Sequence, residues 1–149
     1  MSSIIGHALM GSTAFALSKR RSKSAPFLNG FWLLSLLVAA TAPDLDHLIP
    51  PLSPSKHNGL RITHSAPLVL CLSLLLSLPW LVLTGVSRET AKRALWLSAT
   101  SFSHLILDYL VGAMPRPLLW PFTTDTYTSP VGILPSAGAL QWNNFYLYR

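Results

Sequence analysis

A histidine and an aspartate stand four residues apart, His104 and Asp108, near the end of an otherwise apolar segment. The run reads Ser101-Phe102-Ser103-His104-Leu105-Ile106-Leu107-Asp108-Tyr109-Leu110. Four-residue spacing puts both side chains on one helix face, one turn apart. In a helix surrounded by hydrocarbon such groups are costly, so they turn inward and find partners. The same spacing lets one helix offer a metal an imidazole nitrogen and a carboxylate oxygen. A hydrogen-bonded packing pair has the same pattern, so the positions of the other histidines and aspartates decide its weight.

Only 11% of the 149 residues are charged and half are hydrophobic, where soluble chains carry roughly a quarter charged. This is the composition of a single membrane-embedded domain over 1–149. The net charge of +6 does not read as nucleic-acid binding. Its basic residues gather at Lys19, Arg20, Arg21 and Lys23, and again at Arg88, Lys92 and Arg93, between apolar segments, as in juxtamembrane loops. The lone Cys71 excludes a disulfide framework. The N-terminus lacks a basic leader and a clear cleavage site, and is expected to remain as a helix.

Four apolar segments are expected to be helical: Ile4–Leu17, Phe27–Ala42, Ala66–Val86 and Ala94–Ala113. The first two are short against the roughly 20 residues of a spanning helix. Small residues in the first, among them Gly6, Gly11 and Ala14, favour close helix approach. Pro43 ends the second. Ser65 suits an N-cap for the third, Pro67 its first turn, and Pro79 a kink. The tail, broken by prolines and rich in aromatic residues such as Trp120, Phe122 and Trp142, suits an interface. The expected fold is thus an all-α integral membrane bundle of about four transmembrane helices with a Pro/aromatic-rich C-terminal tail.

If the four segments alternate in direction, both basic turns lie on one side, the cytoplasm by charge bias. His7 then lies at the outer end of the first helix, and Asp44, Asp46 and His47 follow the second. His57 and His64 precede the third, and His104 and Asp108 occupy the outer half of the fourth. All five histidines and three of the five acids fall at one membrane face. Histidine with carboxylate, and no usable thiolate, suits Zn²⁺, Mn²⁺ or Fe²⁺. The donors exceed the need of one zinc. Either two metals bind and clamp a phosphoester, or some residues act as base, acid or orienting partner. Taken singly, each has a plainer role. Asp44 suits a turn, His57 a loop surface, His64 a helix start and His7 a bond to another helix. Arg61 is either a loop charge or a clamp for an anionic substrate.

Taken together, these residues resemble the YdjM-like, LexA-regulated family of predicted metal-dependent hydrolases of the bacterial inner membrane. The resemblance rests on His7, Pro43-Asp44-Leu45-Asp46-His47, His57-x-Gly59 with Thr63-His64-Ser65, Ser103-His104-Leu105-x-Leu107-Asp108, and Leu119-Trp120-Pro121-Phe122. It implies a small multi-helix membrane protein with a metal site made from those histidines and aspartates. Asn58 departs from the arginine usual after the loop histidine, and Arg61 is the candidate replacement. The His104-x-x-x-Asp108 spacing is also similar to that of zinc-dependent phospholipases C and related nucleases, which favours phosphoester chemistry.

The expected function is metal-dependent hydrolysis of a phospholipid or other membrane-associated phosphoester. The divalent metal, zinc with manganese or iron as alternatives, would be held by Asp44, His64, His104, Asp108 and His7. Asp46 and His57 are the catalytic candidates, as base or orienting partners. The rival readings are a metal-ion or small-solute transporter and a non-catalytic membrane adaptor. A transporter calls for polar residues continuing across the membrane, and the cytoplasmic halves of the last two helices nearly lack them. The sequence leaves the oligomeric state unknown.

Seven of the eleven Lys and Arg residues lie in or beside the two basic turns, so the histidine-bearing face should be outside the cell. With single cysteines in a Cys71→Ser background, Ser55→Cys should react with an impermeant thiol reagent on intact cells. Ser22→Cys should not. The opposite pattern would turn the site to the cytoplasm.

Overall fold

The computed structural model describes residues 4–18, 26–47, 49–112, 114–130 and 132. The basic run Lys19–Lys23 and the tail aromatics Trp142, Phe145, Tyr146 and Tyr148 lie outside the described residues, as does the side chain of His47. Among the described residues four α-helices form: α1 (Ile4–Ser18), α2 (Pro26–Thr41), α3 (Ala66–Thr84) and α4 (Arg88–Val111). Short 3₁₀ turns fill the loop between α2 and α3, at Ala42–His47, Pro50–Leu52, Pro54–Lys56 and Ile62–His64. Among the described residues the chain is all-helical, apart from one antiparallel bridge between Arg116 and Tyr127.

Among the described residues, three segments are long and apolar enough to cross a membrane: Pro26–Asp44, Ala66–Thr84 and Arg88–Val111. The first qualifies because the 3₁₀ turn through Pro43 continues α2. The 15 residues of α1 reach about 22 Å, less than the ~30 Å hydrocarbon core.

The fourth helix begins six residues earlier than the apolar pattern suggests. Ser87 caps it, its hydroxyl accepting from the Thr90 amide at 3.2 Å. Glu89 in the first turn complements the positive end of the helix dipole. The second basic turn is therefore mostly helix, and the chain reverses over Gly85–Ser87. Gly112 ends α4 in the left-handed region, φ 63°, donating to the carbonyls of Asp108 and Tyr109.

The helix α4 packs against all three others. Its buried stripe, Leu97, Thr100, Ser101, His104, Leu105, Asp108 and Val111, follows the three-and-four spacing of one helix face. Apolar residues fill one half of the bundle, where Trp32, Leu36, Ala39, Trp80 and Leu97 pack with Ala14. Arg93 lies over the Trp80 ring there, 3.9 Å from its centroid. A Ser73–Ser98 hydroxyl bond of 3.0 Å ties α3 to α4. The outer face of α3 is apolar and exposed, with Leu70, Leu74, Leu75, Leu78 and Val82, as suits contact with lipid.

The buried stripe of α1 is His7, Gly11 and Ala14. At Gly11 an added Cβ would sit 3.0 Å from the Leu36 carbonyl oxygen and 3.1 Å from the Leu37 Cα. The glycine lets α1 lie against the α2 backbone and sets the depth of His7 one turn away. Gly11→Val should cost about 1–3 kcal/mol by overpacking, read as a lower melting temperature in detergent. Gly30→Ala, with nothing near its Cβ position, should be neutral or gain about 0.5–1 kcal/mol.

Candidate metal centre

The other half of the bundle is polar and buried. His7, Asp46, His64 and His104 have no exposed surface, and Asp108 and Arg116 nearly none. Different elements bring them together. α1 supplies His7, and the Ala42–His47 turn supplies Asp44 and Asp46. The 3₁₀ turn before α3 supplies His64, and α4 supplies His104 and Asp108.

One donor atom from each of Asp44, His64, His104 and Asp108 lies within 4.8 Å of the others. His64 Nε2 is 3.2 Å from His104 Nε2, 3.4 Å from Asp44 Oδ1 and 3.2 Å from Asp108 Oδ2. His104 Nε2 is 3.8 Å from Asp44 Oδ1 and 3.7 Å from Asp108 Oδ2. Donors about 2.0–2.1 Å from a tetrahedral ion stand about 3.3 Å from one another, so the set fits around one cation.

The neighbours of the two rings decide where their protons are. His104 Nδ1 is 2.8 Å from the Ala40 carbonyl, in the last turn of α2 where carbonyls lack helical partners. A carbonyl only accepts, so His104 Nδ1 donates. His64 Nδ1 is 3.0 Å from the Thr63 hydroxyl. That hydroxyl gives its single hydrogen to Asp46 Oδ2, at 3.3 Å, so His64 Nδ1 donates as well. In each neutral ring Nε2 then carries a lone pair. The two lone pairs face each other between two carboxylates, an arrangement that could hold a cation. Such bonds at the far nitrogen are how metal-binding histidines are held.

Two buried arginines brace the carboxylates. Arg61 donates from Nε to Asp46 Oδ2 at 2.8 Å, and from Nη2 to Asp46 Oδ1 at 2.9 Å and Asp44 Oδ1 at 3.1 Å. Burial opposes its charge, but the bonds with Asp46 and Asp44 outweigh that and raise its pKa. Arg116 Nη2 lies 2.7 Å from Asp108 Oδ2. Burial lowers its pKa, and Asp108 offsets part of the effect. Three aspartates and two arginines leave the cluster at −1, or +1 with a divalent ion.

The remaining expected site residues divide. His7 stacks on His104 with ring centroids 3.7 Å apart, and its Nε2 is 3.7 Å from both Asp44 Oδ2 and Asp108 Oδ1. Asp46 is engaged by Arg61 and Thr63 and braces the site from behind. His57 is not brought to the cluster. The proline turns before it hold it at the loop surface, where its Nε2 is 2.9 Å from the Pro51 carbonyl. Arg116 and Thr63 are the functional candidates that sequence reasoning missed. The only local hint was Arg116 between two prolines, which stiffen its approach to Asp108.

The family model described as YdjM inner membrane protein matches residues 1–145. The chain belongs to the YdjM inner membrane protein family. No curated protein and no solved structure matches it significantly. The resemblance in the His-Asp motifs thus extends to nearly the whole chain, and the three apolar segments have the length and composition of membrane spans.

If Thr63 holds the His64 tautomer, Thr63→Val should weaken zinc binding about 10–100-fold, measured by competition with a chelator on purified protein. Asp125→Asn, exposed and remote in sequence from the cluster, should leave the affinity unchanged.

Proposed function

We propose that this YdjM-family chain is a metal-dependent hydrolase of the inner membrane, acting on a phospholipid or other membrane-associated phosphoester. The ion is held by Asp44, His64, His104 and Asp108. The observation that carries the reading is the facing pair of Nε2 lone pairs at 3.2 Å, with a carboxylate oxygen on either side. Zinc is favoured over manganese and iron because the donor separations suit a tetrahedral ion and the donors are imidazole and carboxylate. Bound there, zinc would act as a Lewis acid, polarising a phosphoryl oxygen by expanding from four ligands to five.

The chain's own residues supply the rest. Arg61 Nη1, Arg116 Nε and Arg116 Nη1 are buried N–H groups without a protein partner. Guanidinium donors of this kind suit phosphate oxygens. The positive balance of the metal-loaded cluster favours an anion over a neutral ester. Asp46 and Thr63 hold Arg61 and His64 in place during the reaction. His64, His104 and Asp108 lie toward the end of the bundle away from Arg88, Lys92 and Arg93, and charge bias supports an outward, periplasmic pocket.

A closed set of four protein donors also favours a second reading, a structural metal in a non-catalytic membrane protein. The transporter reading has less support, because the core cluster in the other half, Ala14, Trp32, Leu36, Ala39, Trp80 and Leu97, is apolar. Zinc-loaded protein in detergent should hydrolyse at least one member of a panel of phosphomonoesters, phosphodiesters and phospholipids. His104→Ala and Asp108→Ala should lose at least about 100-fold of that rate while remaining folded by circular dichroism. Zinc-loaded, folded protein that cleaves nothing in the panel would favour the structural metal.

A further inference from the structure

Each of the two central carboxylates faces two ways. Asp44 turns Oδ1 toward His64 and His104, at 3.4 and 3.8 Å, and Oδ2 toward His7, at 3.7 Å. Asp108 turns Oδ2 toward His64 and His104, at 3.2 and 3.7 Å, and Oδ1 toward His7, at 3.7 Å. The four oxygens thus divide into two pairs, one pair on each side. His7 stacks on His104 at 3.7 Å, which sets its nitrogen beside the first group of donors.

We propose that the centre is dinuclear, with a second divalent cation held by His7 Nε2, Asp44 Oδ2 and Asp108 Oδ1. This rests on the metal reading given above and extends it. Each 3.7 Å separation between His7 Nε2 and a carboxylate oxygen is within what two donors of one ion span at ordinary imidazole and carboxylate distances, roughly 2.0–2.2 Å each. Asp44 and Asp108 then bridge the two ions, one oxygen to each, as in two-metal sites whose ions lie about 3.5–4 Å apart.

Three protein donors leave the second ion open to water or substrate, which the four-donor first site does not. The second ion also explains why α1 belongs in the site at all. That helix is too short to count among the apolar spans, yet its one ionisable described residue is fully buried. Gly11 holds it against α2 so that His7 reaches the carboxylates. With two divalent ions the cluster would carry +3, a stronger attraction for a phosphoester than one ion gives.

Metal-stripped protein in detergent is titrated with Zn²⁺ and, separately, with Mn²⁺. Bound metal is counted by elemental analysis, and the Mn²⁺ sample is examined by electron paramagnetic resonance. Two ions per chain and a spin-coupled manganese signal are expected. His7→Ala should fall to one ion per chain with an uncoupled six-line spectrum. One ion per chain in the unaltered protein, or two in folded His7→Ala, would overturn the second site and leave the first standing. Binding of neither ion would overturn both. If His7→Ala fails to fold, the stoichiometry and spin coupling of the unaltered protein decide the question.

Discussion

Two imidazole lone pairs and two carboxylates face one another inside an apolar bundle, and that convergence constrains everything around it. Like-charged carboxylates and bare nitrogens repel at 3–4 Å, and away from water the repulsion is poorly screened. The surroundings answer it piece by piece. The Ala40 carbonyl and the Thr63 hydroxyl fix both ring tautomers, and Arg61 and Arg116 neutralise part of the carboxylate charge. A cation at the centre would supply what these contacts do not. The donors are held from several elements, so the site and the tertiary fold stand or fall together.

The bundle separates its tasks by depth. In one half, tryptophan, leucine and alanine pack the four helices without ionisable side chains at their centre, and Arg93 lies over Trp80 at the margin. In the other half polar groups are buried at high cost. Packing in the first half helps to hold the second, since α4 runs through both and carries Leu97 at one level and His104 and Asp108 at the other. Gly11 has the matching role for α1, where a close backbone approach to α2 decides how deep His7 reaches.

Much of this was legible in the chain itself. His104 and Asp108 were visible because an ionisable pair at helical spacing has no comfortable place in an apolar segment. Asp44 and His64 were visible through their places beside Pro43 and before Pro67, at the ends of apolar segments. What the sequence hid depended on tertiary contact. Arg116 looked like one more loop charge, because its partner Asp108 belongs to the preceding helix and only the turn after Gly112 brings the two together. Thr63 stood in the motif beside His64, but its role, accepting a hydrogen bond from that ring while donating to Asp46, shows only in three dimensions. The start of α4 was misplaced because periodicity begins with apolar residues, whereas the helix begins at a polar cap. His57 belongs to the same loop as His64, but proximity in sequence did not bring it inward past the proline turns.

The central claim is a cation held by imidazole and carboxylate together, with sulfur excluded because the single cysteine, Cys71, lies exposed on α3. X-ray absorption at the zinc edge of the zinc-loaded protein tests it most directly. The account predicts a nitrogen and oxygen shell at about 2.0–2.1 Å, with outer-shell scattering from at least two imidazole rings and no sulfur. A sulfur shell near 2.3 Å, or a spectrum without imidazole scattering, would contradict it.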